Sequence, residues 1–147
     1  MSNKKIALIV ALIFTSIIST IVGYFVLPIK MTLIVPLTNV IRIECRSYMI
    51  TGESGQYDVK VTFEGDELDR VIKRLDKVFY QNAVDYVKTL GALSVSIYYS
   101  DGARGGFSGT GGGYTNAGGV RHNYPIRLLN ATQLHDYIFA DYINSNS

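Results

Sequence analysis

The 147-residue chain has no tryptophan, one cysteine, three prolines and two histidines. A single cysteine, Cys45, excludes an internal disulfide framework and any cysteine-rich zinc module. It also falls on the apolar side of an alternating segment, where a thiol behaves as a small hydrophobe. Neither His122 nor His135 belongs to HExxH or another zinc-ligand spacing. No serine stands in GxSxG, and no GK[ST] follows a glycine loop. Nothing links a nucleophile to a base, so neither catalysis nor a metal or cofactor is expected. His122 is expected to pack on the apolar side of a strand, and His135 to lie on a helix surface or interface.

Charge of one sign is also scarce. Lys and Arg total 14 against 12 Asp and Glu. Lys4, Lys5 and Lys30 flank a long apolar run, and with those set aside 11 basic residues face the 12 acids. The sequence pI of 8.6 therefore reports cations placed to meet lipid head groups. Nucleic-acid binding needs them gathered on one face and is not expected.

What is present in abundance is that apolar run. Residues 6–27 contain no ionisable group except the phenol of Tyr24. As a helix, 22 residues reach about 33 Å, against a hydrocarbon core of about 30 Å. Pro28 ends the helix, Lys30 can reach back to the head groups, and Tyr24 stands where interfacial aromatics belong. The run is longer than a signal-peptide core and no A-x-A-like site follows, so a retained signal anchor is expected. The short basic tail, residues 1–5, places the N-terminus in the cytoplasm and the rest outside, as a single-pass protein. The span covers residues 6–29. Ala7, Ala11, Thr15, Ser19 and Gly23 recur every four residues within it. Small side chains at that spacing form a seam for a second copy or another membrane helix.

Residues 30–37 read as an extended juxtamembrane connector, and residues 38–143 as the outer domain, ahead of a tail at 144–147. Ile41, Ile43 and Cys45 alternate with charged residues, and Tyr57, Val59, Val61 and Phe63 with polar ones. Joined by the Gly52-Glu53-Ser54-Gly55 cluster, they predict a hairpin. Asp66 is the expected N-cap of a helix whose apolar stripe is Leu68, Val71, Ile72, Leu75, Val78 and Phe79. Residues 81–92 are ambiguous between helix and loop. Leu93, Val95, Ile97 and Tyr99 mark a third strand turning at Asp101-Gly102, and a short strand follows at 104–108. A further strand runs through Val120, His122, Tyr124, Ile126 and Leu128, with Pro125 predicting an edge or an interruption. Asn130 and Gln133 suggest a capping box opening a last helix. The fold class is α+β: a transmembrane helix, then a two-layer ββα-ββα domain with a mostly antiparallel sheet.

Nine of the nineteen residues at 101–119 are glycine. No helix pattern follows, which rejects a phosphate loop. The segment reads as a Gly-rich loop, either a mobile connection or a contact surface of adaptable Tyr, Ser and Asn groups. Its candidate partner-binding residues are Arg104, Phe107, Tyr114, Asn116 and Arg121, the two arginines suited to an anion such as a wall polymer or lipid phosphate.

The Ile41/Ile43 strand, the Asp66-Glu67-Leu68 helix start, the Val95 and Tyr99 strand ending at Asp101-Gly102 and the final capped helix together resemble small membrane-anchored ectodomains of unknown function from Gram-positive bacteria. Many of those look like lipoproteins. Here Cys45 lies well beyond the apolar run and cannot serve as a lipobox cysteine. The resemblance implies no catalytic residues. The function expected is a non-catalytic, membrane-anchored extracytoplasmic binding module contacting an envelope polymer or protein. An accessory subunit pairing through its membrane helix is the alternative, and an envelope hydrolase using His122 or His135 the third reading.

Overall fold

The computed structural model describes residues 3–51, 55–84, 93–109 and 111–145. The expected turn at 52–54, most of the ambiguous stretch at 81–92 and the chain ends fall outside them.

Helix α1 (Asn3–Val26) is followed by β1 (Ile29–Lys30), a single 3-10 turn (Met31–Leu33), β2 (Val40–Thr51), β3 (Gly55–Phe63), α2 (Asp66–Leu75) and β4 (Phe79–Asn82). Then come β5 (Leu93–Tyr99), β6 (Arg104–Ser108), β7 (Gly111–Thr115), β8 (Arg121–Leu128) and α3 (Ala131–Ser145). The strands form one eight-stranded sheet in the order β1-β4-β8-β7-β6-β5-β2-β3, every pair antiparallel. The fold is α+β, as expected. The second half is not a ββα repeat: five strands, not two, separate α2 from α3. Strand β6 lies where a short strand was expected and β7 takes up part of the expected Gly-rich loop at 101–119, both in the middle of the sheet.

Helix α1 is long and apolar enough to cross a membrane, with a mean hydropathy of 2.6 over its best window. From Lys4 through Val22 it is exposed to its surroundings.

The alternating strand patterns place Ile43, Cys45, Val59, Leu93, Val95, Ile97, Phe107, Ile126 and Leu128 on one buried face. Leu68, Val71 and Leu75 of α2 and Leu134, Ile138 and Phe139 of α3 are buried in the same core, and Arg74 of α2 stacks over Tyr137 of α3 at 4.3 Å. The third piece of the cover is residues 31–35. Expected as an extended connector at the bilayer surface, they fold into the 3-10 turn and bury Met31 (2% exposed) and Val35 (0%). Met31 and Val35 are core and Ile34 and Leu37 pack against it, while Leu33 stays exposed.

Local chemistry corrects several boundaries. Gly65, with φ +58°, is the residue before α2, and Asp66 begins the helix without a side-chain cap bond. Its acids still occupy the positive first turn. Asn130 does not use its side chain to cap α3. Its amide donates to the Lys77 carbonyl (3.2 Å) and accepts from Phe79 N–H (3.5 Å), tying the α2–β4 connection to the start of α3. A register shift between Val40 and Arg42 leaves Ile41 exposed rather than on the apolar face. Pro125 lies in an interior strand. Its carbonyl accepts from Ala83 N–H, and the N–H it lacks would face the same side, just past the last residue of β4.

Candidate binding face

The helices and residues 31–35 cover one side of the sheet. On the other, the register aligns Arg42, Tyr98, Arg104, Thr115 and Arg121 across β2, β5, β6, β7 and β8. The next row is Glu44, Ser96, Gly106, Gly113 and Asn123. Because the second row is mostly small, the sheet surface sinks there into a groove of about 570 Å³, bordered by Ser94, Ser96, Arg104, Thr115, Arg121 and Asn123.

Glycine at two of these positions is a steric requirement. A Cβ on Gly106 would press on the Val95 carbonyl oxygen, and one on Gly113 on the His122 carbonyl oxygen. The strands approach so closely that only hydrogen fits.

The two ends of the Arg row differ. At the β2 end, Glu44 draws the cations together: Lys60 Nζ lies 3.1 Å and Arg42 Nε 3.5 Å from its Oε1, and Tyr98 OH donates to Oε2 at 3.2 Å. The hydrogen bond from Lys60 holds the Glu44 carboxyl below the usual carboxylate range despite desolvation, with Tyr98 and Arg42 assisting. Arg42 also stacks on Tyr98 at 4.1 Å and approaches Glu64 at 3.9 Å. At the β8 end there is no such compensation. Arg104 lies 5.5 Å from the Tyr98 ring, and Arg121 Nε donates to Asn123 Oδ1 at 3.0 Å. Among the described residues neither has a carboxylate partner. They stand two strands apart, about 10 Å between backbones, with the Thr115 position between them.

Of the sequence candidates, Arg104 and Arg121 thus meet on this face. Phe107 does not, being 4% exposed and packed in the core. Tyr114 also turns inward, edge-on to Tyr99 at 5.4 Å. Asn116 is occupied in the β7–β8 turn, where its Oδ1 accepts from Val120 N–H at 2.9 Å. Thr115, Tyr98, Ser94 and Ser96 were missed. The signal was available: the Asp101-Gly102 turn fixes Tyr98 opposite Arg104, and so which side chains share their face.

A second constellation resembles a hydrolase relay. His135 Nε2 is 2.8 Å from Ser47 Oγ, and Nδ1 is 3.2 Å from Asp136 Oδ1. The hydroxyl, however, belongs to a residue that is 0% exposed. A nucleophile must touch its substrate, and here the approach is filled by core. The bond satisfies a buried hydroxyl and pins α3 to β2. His122, expected to be packed, is exposed. Cys45 is buried and its thiol is pushed up to about 12 by desolvation, so it stays protonated and inert. Among the described residues, no three or more His, Cys, Asp or Glu gather to hold a metal.

Ala7, Ala11, Thr15, Ser19 and Gly23 lie along α1, and Thr15 returns its hydroxyl to the Ala11 carbonyl at 2.9 Å within the same helix. No family model matches the chain, and neither does any curated protein or solved structure.

Proposed function

We propose that this is a single-pass membrane-anchored, non-catalytic binding module, N-terminus in the cytoplasm, that holds an anionic envelope polymer on the open face of its sheet. The observation that carries the reading is the Arg104–Thr115–Arg121 row beside a floor of glycine and serine. Two arginines with no carboxylate partner among the described residues attract phosphodiester or carboxylate groups and fit them bidentately. The bare floor lets an extended chain approach the backbone. The buried position of Ser47 favours a binding role over hydrolysis.

The test uses the full chain in nanodiscs with poly(glycerol phosphate) as the probe. Replacing both Arg104 and Arg121 with Gln is expected to weaken binding by about tenfold or more, and Ser96→Phe to weaken it by filling the groove. The pair Arg70→Gln and Lys73→Gln on the wet face of α2 should leave binding unchanged. Unaltered affinity in the first variant, or equal loss in the control pair, overturns the reading.

A further inference from the structure

The end of a helix leaves its last carbonyls without partners, and this is costly near lipid, where water is scarce. In α1 two of those carbonyls are satisfied from the sheet, while Gly23 accepts from Leu27 N–H. Gln81 Nε2 donates to the Val26 carbonyl at 2.5 Å and Asn82 Nδ2 to the Tyr24 carbonyl at 2.9 Å. Two successive residues of β4 thus step down the helix, from its last residue toward its interior. Measured from Lys5, Tyr24 lies about 29 Å along the axis, close to the thickness of a hydrocarbon core. The end of β4 is therefore level with the boundary between acyl chains and head groups.

The described surface at that level is partly apolar, with Arg127 opposite Gln81 and Arg121 and His122 between Val120 and Tyr124. Beyond Asn82 the chain continues to Val84, 87% exposed. The Ala83 N–H bonds the Pro125 carbonyl just beyond the last β4–β8 pair, and the preceding residue of β8, Tyr124, is 41% exposed. The Tyr80 phenol is raised first by burial and then by the phenols of Tyr24 and Tyr124. The β7–β8 turn, residues 116–120, has no ionisable group and ends in Val120, 53% exposed. Tyrosines beside exposed aliphatic groups are the composition of a membrane–water interface.

We infer that the end of β4 and the β7–β8 hairpin form a foot resting in the bilayer interface, with Val84, Val120 and Tyr124 among the lipids and Gln81 and Asn82 clamping the sheet to the membrane helix. The occupant is the phospholipid surface, identified by continuity with the span. The outer domain is then held against the membrane in one orientation instead of swinging on a stalk. This rests on the anchoring part of the proposed function and is independent of the polymer.

The absence of tryptophan makes the test direct. Full-length single-tryptophan variants Leu12→Trp, Val84→Trp, Tyr124→Trp and Thr62→Trp are reconstituted in phosphatidylethanolamine–phosphatidylglycerol vesicles containing brominated lipids. Bromines near the head groups should quench Val84→Trp and Tyr124→Trp several-fold more than Thr62→Trp on exposed β3, and deep bromines should quench Leu12→Trp. If Leu12→Trp is quenched while Val84→Trp and Tyr124→Trp behave like Thr62→Trp, the foot is overturned and the anchor stands. If Leu12→Trp escapes quenching, the anchor falls and takes the foot with it.

Discussion

Gly113 and Gly118 stand in the same glycine-rich stretch, yet space constrains them differently. A methyl at Gly113 meets the His122 carbonyl oxygen, a backbone atom that cannot move without shifting β8. At Gly118 it would meet only Asn116 Oδ1 at 3.4 Å. Gly113→Ala is therefore expected to destabilise the domain by about 1–3 kcal/mol, the usual cost of overpacking, and Gly118→Ala to be nearly neutral. Cys45 supplies the readout. Buried, and with its thiol pushed up to about 12, it reacts with an alkylating reagent only when the sheet opens. Faster labelling in Gly113→Ala than in Gly118→Ala is expected, and equal rates would show that β7 has room to spare.

At the scale of elements, the bond between Ser47 and His135 joins β2, the strand beside the β3 edge, to the last helix. Removing the hydroxyl in Ser47→Ala leaves a partly buried imidazole nitrogen without its partner and should cost about 1–3 kcal/mol in chemical denaturation. Polymer binding by the folded fraction should be unchanged, and a fluorophosphonate probe should label neither protein. Labelling of the parent that vanishes in Ser47→Ala would make the serine a nucleophile. The same strand and helix show what the sequence made legible. Alternation at Ile43, Cys45 and Val59, and the stripe through Leu68, Val71 and Leu75, announced β2, β3 and α2, because each buries one face and exposes the other. Strand β6 stands where a short strand was expected, but β7 was not announced. Glycine has poor strand preference, so no alternation marked β7, where Gly113 has no room for a Cβ against the His122 carbonyl oxygen. Residues 31–35 misled for a related reason: burial against the sheet and burial near lipid select the same side chains. Of the binding face, the two arginines were readable as charge beside glycine. The Asp101-Gly102 turn sets Tyr98 opposite Arg104, but alignment with Thr115 and Arg121 needed the β6–β7 and β7–β8 registers, which no local pattern states.

For the whole molecule, the question is whether the membrane helix only anchors or also recognises. Gln81 and Asn82 grip backbone carbonyls of Tyr24 and Val26, not side chains. The clamp should therefore survive a change of helix sequence, provided the last turn stays helical. The row of Ala7, Ala11, Thr15, Ser19 and Gly23 is thus separable from the fold. Even at Gly23 an added Cβ meets Leu27 Cδ1 at an ordinary 3.6 Å. Exchanging all five for leucine should keep the protein integrated in membranes, because hydrophobic length is conserved. It should also leave poly(glycerol phosphate) binding unchanged, since the Arg104–Thr115–Arg121 row lies on the sheet. Both are measured on the same nanodisc preparation. If binding persists but a cellular activity of the protein is lost, the seam carries a second partner through close helix packing. If binding itself drops while the fold is retained, the polymer is held by an assembly of helices rather than by one sheet.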